Sequence, residues 1–273
     1  MKKLFFPILF AIIVFSGCTR TDDGAGKLVI KVTDDPFNIS YVESATVKIS
    51  KVEIRKAGDH DESKFLLLSE DTVTFDLLEL RNGVTADLLN LDVPQGSYDL
   101  IRLYVEEASL KLKNNAEAFT VKVPSGHQSG IKIFIRPAIR VEGGLSSELL
   151  LDFDLSKSFV MRGNMAHSMG VTGFIFKPCI RAVDISSAGR ITGMVTDTAD
   201  VKITNARVWI AQDTIISTAF TDTLGHYAFI GIPSGIYRML ATKEGYDTLS
   251  FEKINVYSGN RTVQNFVLKK EDE

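Results

Sequence analysis

From Lys27 onward one pattern leaves this chain few folds: apolar residues recur at every second position. Leu28, Ile30 and Val32 share one face of an extended chain, as do Ala45, Val47 and Ile49. The same period returns in Ile101/Leu103/Val105, Ile131/Ile133/Ile135 and Leu149/Leu151/Phe153/Leu155. Side chains of a strand alternate between two faces, so this period predicts strands with one face buried and the other wet. Between Ile49 and the next apolar pair, Val52 and Ile54, the alternation slips, which predicts a β-bulge near Ser50-Lys51. Only Asp76 to Leu91 reads both ways, since Leu77, Leu78, Leu80, Leu88 and Leu89 suit a short helical turn or a strand. The fold class is all-β.

A composition shift over Asp184 to Gly189 predicts a linker at 184–189, between a domain at 27–183 and a smaller one at 190–268. The smaller set of strands is Ile191/Gly193/Val195, Ala206/Val208/Ile210, Tyr227/Phe229, Tyr237/Met239/Ala241 and Val263/Asn265/Val267. Turns at Asp222–Gly225, Pro233–Gly235 and Ser258–Gly259 space them as in a compact sandwich. Two tandem β-sandwich domains are therefore expected, with a charged tail at 269–273. An echo links the halves: Pro94-Gln95-Gly96-Ser97-Tyr98 and Pro233-Ser234-Gly235-Ile236-Tyr237 each lead into an alternating strand. Proline sets the first turn angle and glycine permits a positive φ. The tyrosine lands at the strand start, where its ring can bury and its hydroxyl can reach backbone.

The N-terminus carries a different signal. Lys2 and Lys3 precede a short apolar run from Leu4 to Phe15, and small residues lead to Cys18. This layout predicts a secretory signal peptide at 1–17, too short to span a bilayer as a helix. Phe15-Ser16-Gly17-Cys18 resembles the bacterial lipobox, with Phe15 where Leu is usual; the resemblance implies that Cys18 is lipidated. The other reading is an ordinary secreted protein with a chance cysteine. Residues 18–26 then form a polar tether. Removing 1–17 takes away Lys2 and Lys3 and no acidic residue, leaving 29 basic against 34 acidic side chains. That balance argues against a nucleic-acid partner. Cys179 is the other of two cysteines, so a disulfide framework is excluded and the fold must rest on its apolar 45%.

The second half resembles the carboxypeptidase regulatory-like domain, a transthyretin-like or Ig-like sandwich. The match rests on Gly193-Met194-Val195-Thr196-Asp197, Ala206-Arg207-Val208, Thr221 to Phe229, Ile232 to Tyr237 and Lys243-Glu244-Gly245-Tyr246. The resemblance implies a non-catalytic module. Related collagen-adhesin repeats form isopeptide bonds; here the first strand offers Arg190 and no lysine to meet Asn265, so no cross-link is expected. The first half resembles the lipoprotein domain of unknown function family 4382. Its match rests on Val32 to Pro36, Ile49 to Ile54, Val93 to Leu103, Leu150 to Ser158 and Phe176 to Arg181. The resemblance implies an envelope lipoprotein of Bacteroidetes-type bacteria and brings no activity.

Candidate sites are few. His60, His127, His167 and His226 are scattered, and no nucleophile elbow, His-Glu-x-x-His or phosphate loop occurs, so no catalytic site and no cofactor are expected. Asp34/Asp35, Asp59/Asp61/Glu62 and Asp152/Asp154 offer oxygen ligands for calcium. They read equally as turn residues and the polar side of a strand. For binding, Lys132, Phe134 and Arg136 alternate with core residues and place an aromatic among cations on an outer face. Arg102, Tyr104 and Glu106 do the same, and Trp209 runs out of phase with Val208 and Ile210. Exposed rings stack on sugars or anchor a protein partner, or else cover a second sheet.

The expected function is thus a non-catalytic binding or adhesion module for a glycan or an envelope protein. It would sit in the outer membrane by its lipid, facing the periplasm or the exterior. Two alternatives stand beside it: a fimbrial-type structural subunit, and an accessory subunit of a secreted enzyme or receptor complex. Strand donation would need a releasable edge strand, for which residues 27–33 are the nearest candidates.

Overall fold

The computed structural model describes residues 24–35, 41–59, 61, 64–113, 115, 117–123, 129–163 and 170–271. The signal peptide, Cys18, Pro36, Glu62, His60, His127 and His167 lie outside the described residues, as does the side chain of Asp35. Strands dominate both halves, as the alternation predicted. The first half holds β1 (Ala25–Asp35), β2 (Val42–Lys56), β3 (Phe65–Ser69), β4 (Val73–Asp76), β5 (Ala86–Pro94) and β6 (Gly96–Leu112). It continues with β7 (Phe119–Lys122), β8 (Ile131–Val141), β9 (Ser146–Asp154), β10 (Phe159–Gly163), β11 (Val171–Phe176) and β12 (Ile180–Asp184).

β10 and β11 pair with each other as a separate ribbon, and the other strands run in the order β3-β2-β6-β8-β12-β9-β1-β5, with β4 also on β2 and β7 on β6. One joint is thin: β8 and β12 meet through the single pair Ile135–Ala182. It divides the sheet into two leaves, β3-β2-β6-β8 and β12-β9-β1-β5. Leu28, Ile30 and Val32 of one leaf and Ala45, Val47 and Ile49 of the other enter the same buried core. The alternating residues are therefore the inner faces of a sandwich.

The expected bulge is present, since the pairing of β2 with β6 shifts between Ile49 and Lys51. The ambiguous stretch contains both elements it allowed. Leu77–Leu80 is a 3-10 turn capped by Asp76, whose Oδ1 accepts from the Leu78 N–H at 3.1 Å, and β5 follows it.

The second half holds β13 (Ala188–Asp197), β14 (Arg207–Ala211), β15 (Ile215–Phe220) and β16 (His226–Pro233). β17 (Gly235–Lys243), β18 (Tyr246–Val256), β19 (Arg261–Val263) and β20 (Phe266–Leu268) complete it. They make two sheets, β15-β14-β17-β18 and β16-β13-β19, with β20 also on β13, around a second core. The last strand reverses the expected phase: Val263 and Val267 face solvent, while Phe266 and Leu268 are fully buried. Its parallel pairing to β13 breaks between Val263 and Phe266 and resumes in the same register, so Val263 and Val267 share the outer face while Phe266 and Leu268 share the inner one. Asn265 sits in that break, where its Oδ1 accepts from the Met194 N–H at 3.0 Å.

The segment expected as a linker is structured. Ile185–Ser187 is a 3-10 turn, and Ala188 and Gly189 already pair with β16. Leu150, Val183 and Ala188 form a small third core between the halves, joined by Ile185 and Ile230. The charged tail is likewise held as far as Glu271, whose N–H donates to Gly245.

Candidate functional site

Three strands of the first leaf bury one face and offer the other. Val52 and Ile54, Ile101 and Leu103, and Ile133 and Ile135 point into the core. Lys51 and Glu53, Arg102 and Tyr104, and Lys132, Phe134 and Arg136 therefore emerge on the opposite face. Register sets them side by side: Glu53 lies opposite Arg102, and Arg102 opposite Lys132. In the next row Arg55 stands between Phe65 and Leu100, and Leu100 lies opposite Phe134.

Glu53 is the hub of this face. It pairs with Lys51 Nζ at 2.7 Å and Arg102 at 3.3 Å, and accepts from the Tyr104 hydroxyl at 3.0 Å. Burial pushes its carboxyl up, but the hydrogen bonds from Lys51 and Tyr104 and the charges of Lys51 and Arg102 outweigh that, leaving it below the ordinary range. Around the hub, cations lie over rings. Arg102 is 3.7 Å from the Phe65 ring centre, Lys51 is 5.0 Å from that of Tyr104, and Arg136 is 4.9 Å from that of Phe134. Such stacking holds long cationic side chains in place.

Sequence reasoning placed Phe134, Arg136 and Tyr104 here, and they do share this face. Phe134 is 53% exposed, Arg136 is exposed and Tyr104 is half-buried. Arg102 is a correction, because it is buried at 9% exposure rather than presented to solvent. Phe65 and Glu53 enclose it, and the loop at Gly130 presses on it, where an added Cβ would come within 2.5 Å of the arginine Cγ. Phe65 gave no signal in the sequence, since Phe65-Leu66-Leu67-Leu68 is apolar without alternation. Trp209 lies on the sheet β15-β14-β17-β18 of the other domain, half-exposed, with Arg207 5.1 Å from its ring centre.

Of the carboxylates considered for calcium, Asp34, Asp152 and Asp154 are engaged by the protein itself. Asp154 caps the short helix Leu155–Ser158, its Oδ1 accepting from the Lys157 N–H at 3.0 Å and its Oδ2 pairing with Lys157 Nζ at 2.5 Å. Asp34 Oδ1 accepts from the Leu155 N–H at 3.3 Å. Asp152 is not on a wet sheet face: it is buried at 8% exposure and pairs with Arg181 at 2.6 Å. Arg181 also donates to the Gly231 carbonyl at 2.9 Å, so this pair fastens one domain to the other. Among the described residues no group of three potential metal ligands gathers. No described helix is long and apolar enough to cross a membrane. His226, the described histidine, sits on the surface 4.0 Å from Asp222.

These features define a class: a two-sandwich, strand-built protein with a cation-and-ring face on its first domain. The chain belongs to the domain of unknown function family DUF4382, whose model matches residues 25–178, more than half of it. The carboxypeptidase regulatory-like domain matches residues 190–269. No curated protein matches the chain. Among solved structures it is similar to the Bacillus anthracis TIE protein, at 15% identity and a TM-score of 0.26, over 90% of this chain and 34% of that one. It thus spans about a third of that protein's length. It is also similar to the shaft pilin SpaA of Lactobacillus rhamnosus GG, at 8% identity and a TM-score of 0.26, over 91% and 99% of the two chains. The minor pilin GBS52 of Streptococcus agalactiae shares 11% identity at a TM-score of 0.26, over 91% and 97%. Superpositions this distant say nothing about function.

Proposed function

We propose that this chain is a non-catalytic binding module of the bacterial cell envelope, held to a membrane by lipid on Cys18 and engaging a glycan or an envelope protein. One observation carries the reading: three cation–ring pairs lie on one sheet face of the first domain, with the Phe134 ring half in solvent. A ring held beside fixed cations suits stacking on a sugar or anchoring a partner. A strand-donating subunit is less well supported. β1 lies between β9 and β5, so its release would break two ladders.

Two measurements test the proposal. On glycan arrays and in pull-downs from envelope extracts, Phe134→Ala with Arg136→Ala should lose at least tenfold of the signal. Unchanged signal removes the face from consideration. Cys18→Ser should move the protein out of the membrane fraction, because one acyl chain binds marginally and several bind durably. Continued sedimentation with membranes would sink the anchor.

A further inference from the structure

The small domain has a second outer face, and its charges are oddly placed. In the parallel ladder of β13 and β19, Arg190 pairs with Arg261 and Thr192 with Val263. Ile191 between them is fully buried, so both arginines point outward on neighbouring strands about 5 Å apart. Like charges side by side on a sheet repel. Neither guanidinium has a hydrogen-bond or ion-pair partner among the described residues.

Arg261 borders a groove of about 470 Å³, a size usual for small-ligand clefts, and Arg190 stands beside it on the neighbouring strand, just outside the groove's lining. Thr192, Ala228 and Val263 floor it, and Arg261 and His226 stand at its ends. The first domain walls it with Asn82, whose side-chain amide donates to the Phe220 carbonyl at 2.9 Å. The neighbouring Gly83, at φ +78°, lies against Ala228 and Ile230, where an added Cβ would sit 3.2 Å from the Ala228 Cβ. The second domain thus supplies most of the groove and the first domain closes one side with Asn82. The groove's contents are the Arg261 guanidinium at one end with Arg190 next to it, an apolar floor, a hydroxyl and an amide along the sides, and at the other end the His226 imidazole with the Asp222 carboxylate 4.0 Å from it.

We infer that this junction groove binds an acidic saccharide, with its carboxylate held by Arg190 and Arg261. Guanidinium forks match a carboxylate in pairs, and an anion between them relieves their mutual repulsion. The sugar ring lies on Val263 and Ala228, and its hydroxyls reach Thr192, Asn82 and His226. The site is separate from the face around Phe134.

The test titrates the full chain with galacturonic acid, galactose and inorganic phosphate, followed by calorimetry and by NMR shifts of Thr192 and Val263. Galacturonic acid should bind at least tenfold more tightly than galactose, and R190A/R261A should lose at least tenfold. Arg261→Lys should retain an intermediate affinity. The melting temperature of unliganded R190A/R261A should equal or exceed that of the parent, which shows that the variant is folded. Equal binding of galactose and galacturonic acid would overturn the inference, as would undiminished binding by R190A/R261A. Phosphate binding as tightly as galacturonic acid reduces the groove to a simple anion site and also overturns it. Loss of binding in Phe134→Ala alone would assign the ligand to the other face.

Discussion

The hydroxyl of Tyr98 donates to the carbonyl of Pro94 at 2.6 Å, closing the turn that leads into β6 over a fully buried ring. Tyr237 repeats the bond to Pro233 at 2.7 Å in the second domain. Burial raises both phenols, which stay neutral donors. The glycines of the two turns differ. Gly96 has φ +150°, whereas Gly235 is not in the positive region, and an added Cβ there would sit 3.3 Å from the Tyr237 ring.

Tyr98→Phe is expected to lose about 1–2 kcal/mol, and Tyr237→Phe a similar amount from its own domain, because each leaves a carbonyl without its donor. Urea unfolding followed by domain-specific fluorescence checks both. Losses near zero would mean that water replaces the hydroxyl.

Glu53→Gln should destabilise the first domain by about 2 kcal/mol, since it removes the charge that holds Lys51, Arg102 and Tyr104 together. The folded carboxyl titrates below its ordinary 4.5. Its contribution is therefore complete above about pH 4.5 and lost as pH falls through the lower folded value. Unfolding curves taken from pH 3 to pH 6 should show a slope in the parent that the variant lacks.

Asp152 behaves in the opposite sense. Burial, with help from the Asp154 charge and against Arg181, raises its carboxyl above the ordinary 3.8. The unfolded chain ionises first, so stability falls as pH rises from about 3.8 through the folded value and then levels. Asp152→Asn should flatten that segment at a loss of about 1 kcal/mol, while Asp152→Ala should lose about 2–4 kcal/mol by stranding Arg181. A pH series of urea melts on both variants decides it.

Gly193→Ala should disrupt the second domain by more than about 3 kcal/mol, because the new Cβ would fall 1.7 Å from the Gln264 carbonyl oxygen. Tyr227 donates its hydroxyl to that same oxygen, so the backbone there has no room to retreat. Thermal melting of the second domain should drop by many degrees; an unchanged melt would refute the close approach.

The alternating residues made the strands, the bulge at Ser50-Lys51 and both tyrosine turns readable, because each depends on neighbours in sequence. Phe134 and Arg136 were readable as outward for the same reason. What depends on distant chain was not. Arg102 obeys the alternation yet is buried, since Phe65 and the Gly130 loop reach it from elsewhere. Asp152 has the period of a wet residue, but the second domain covers it through Arg181 and Gly231. Val263 and Val267 misled because they are apolar yet share the outer face, while Phe266 and Leu268 of the opposite phase fill the core. The Arg190–Arg261 pair is invisible in sequence, where the two lie at opposite ends of the domain.

That placement of first and last strands has a mechanical consequence. β13 opens the second domain and β20, which closes it, runs parallel beside it, from Val195–Phe266 to Asp197–Leu268. Tension on the two ends of the domain pulls these strands past each other lengthwise. Their hydrogen bonds then share the load at once instead of opening one after another. A domain wired in this way resists tugging better than its modest size suggests.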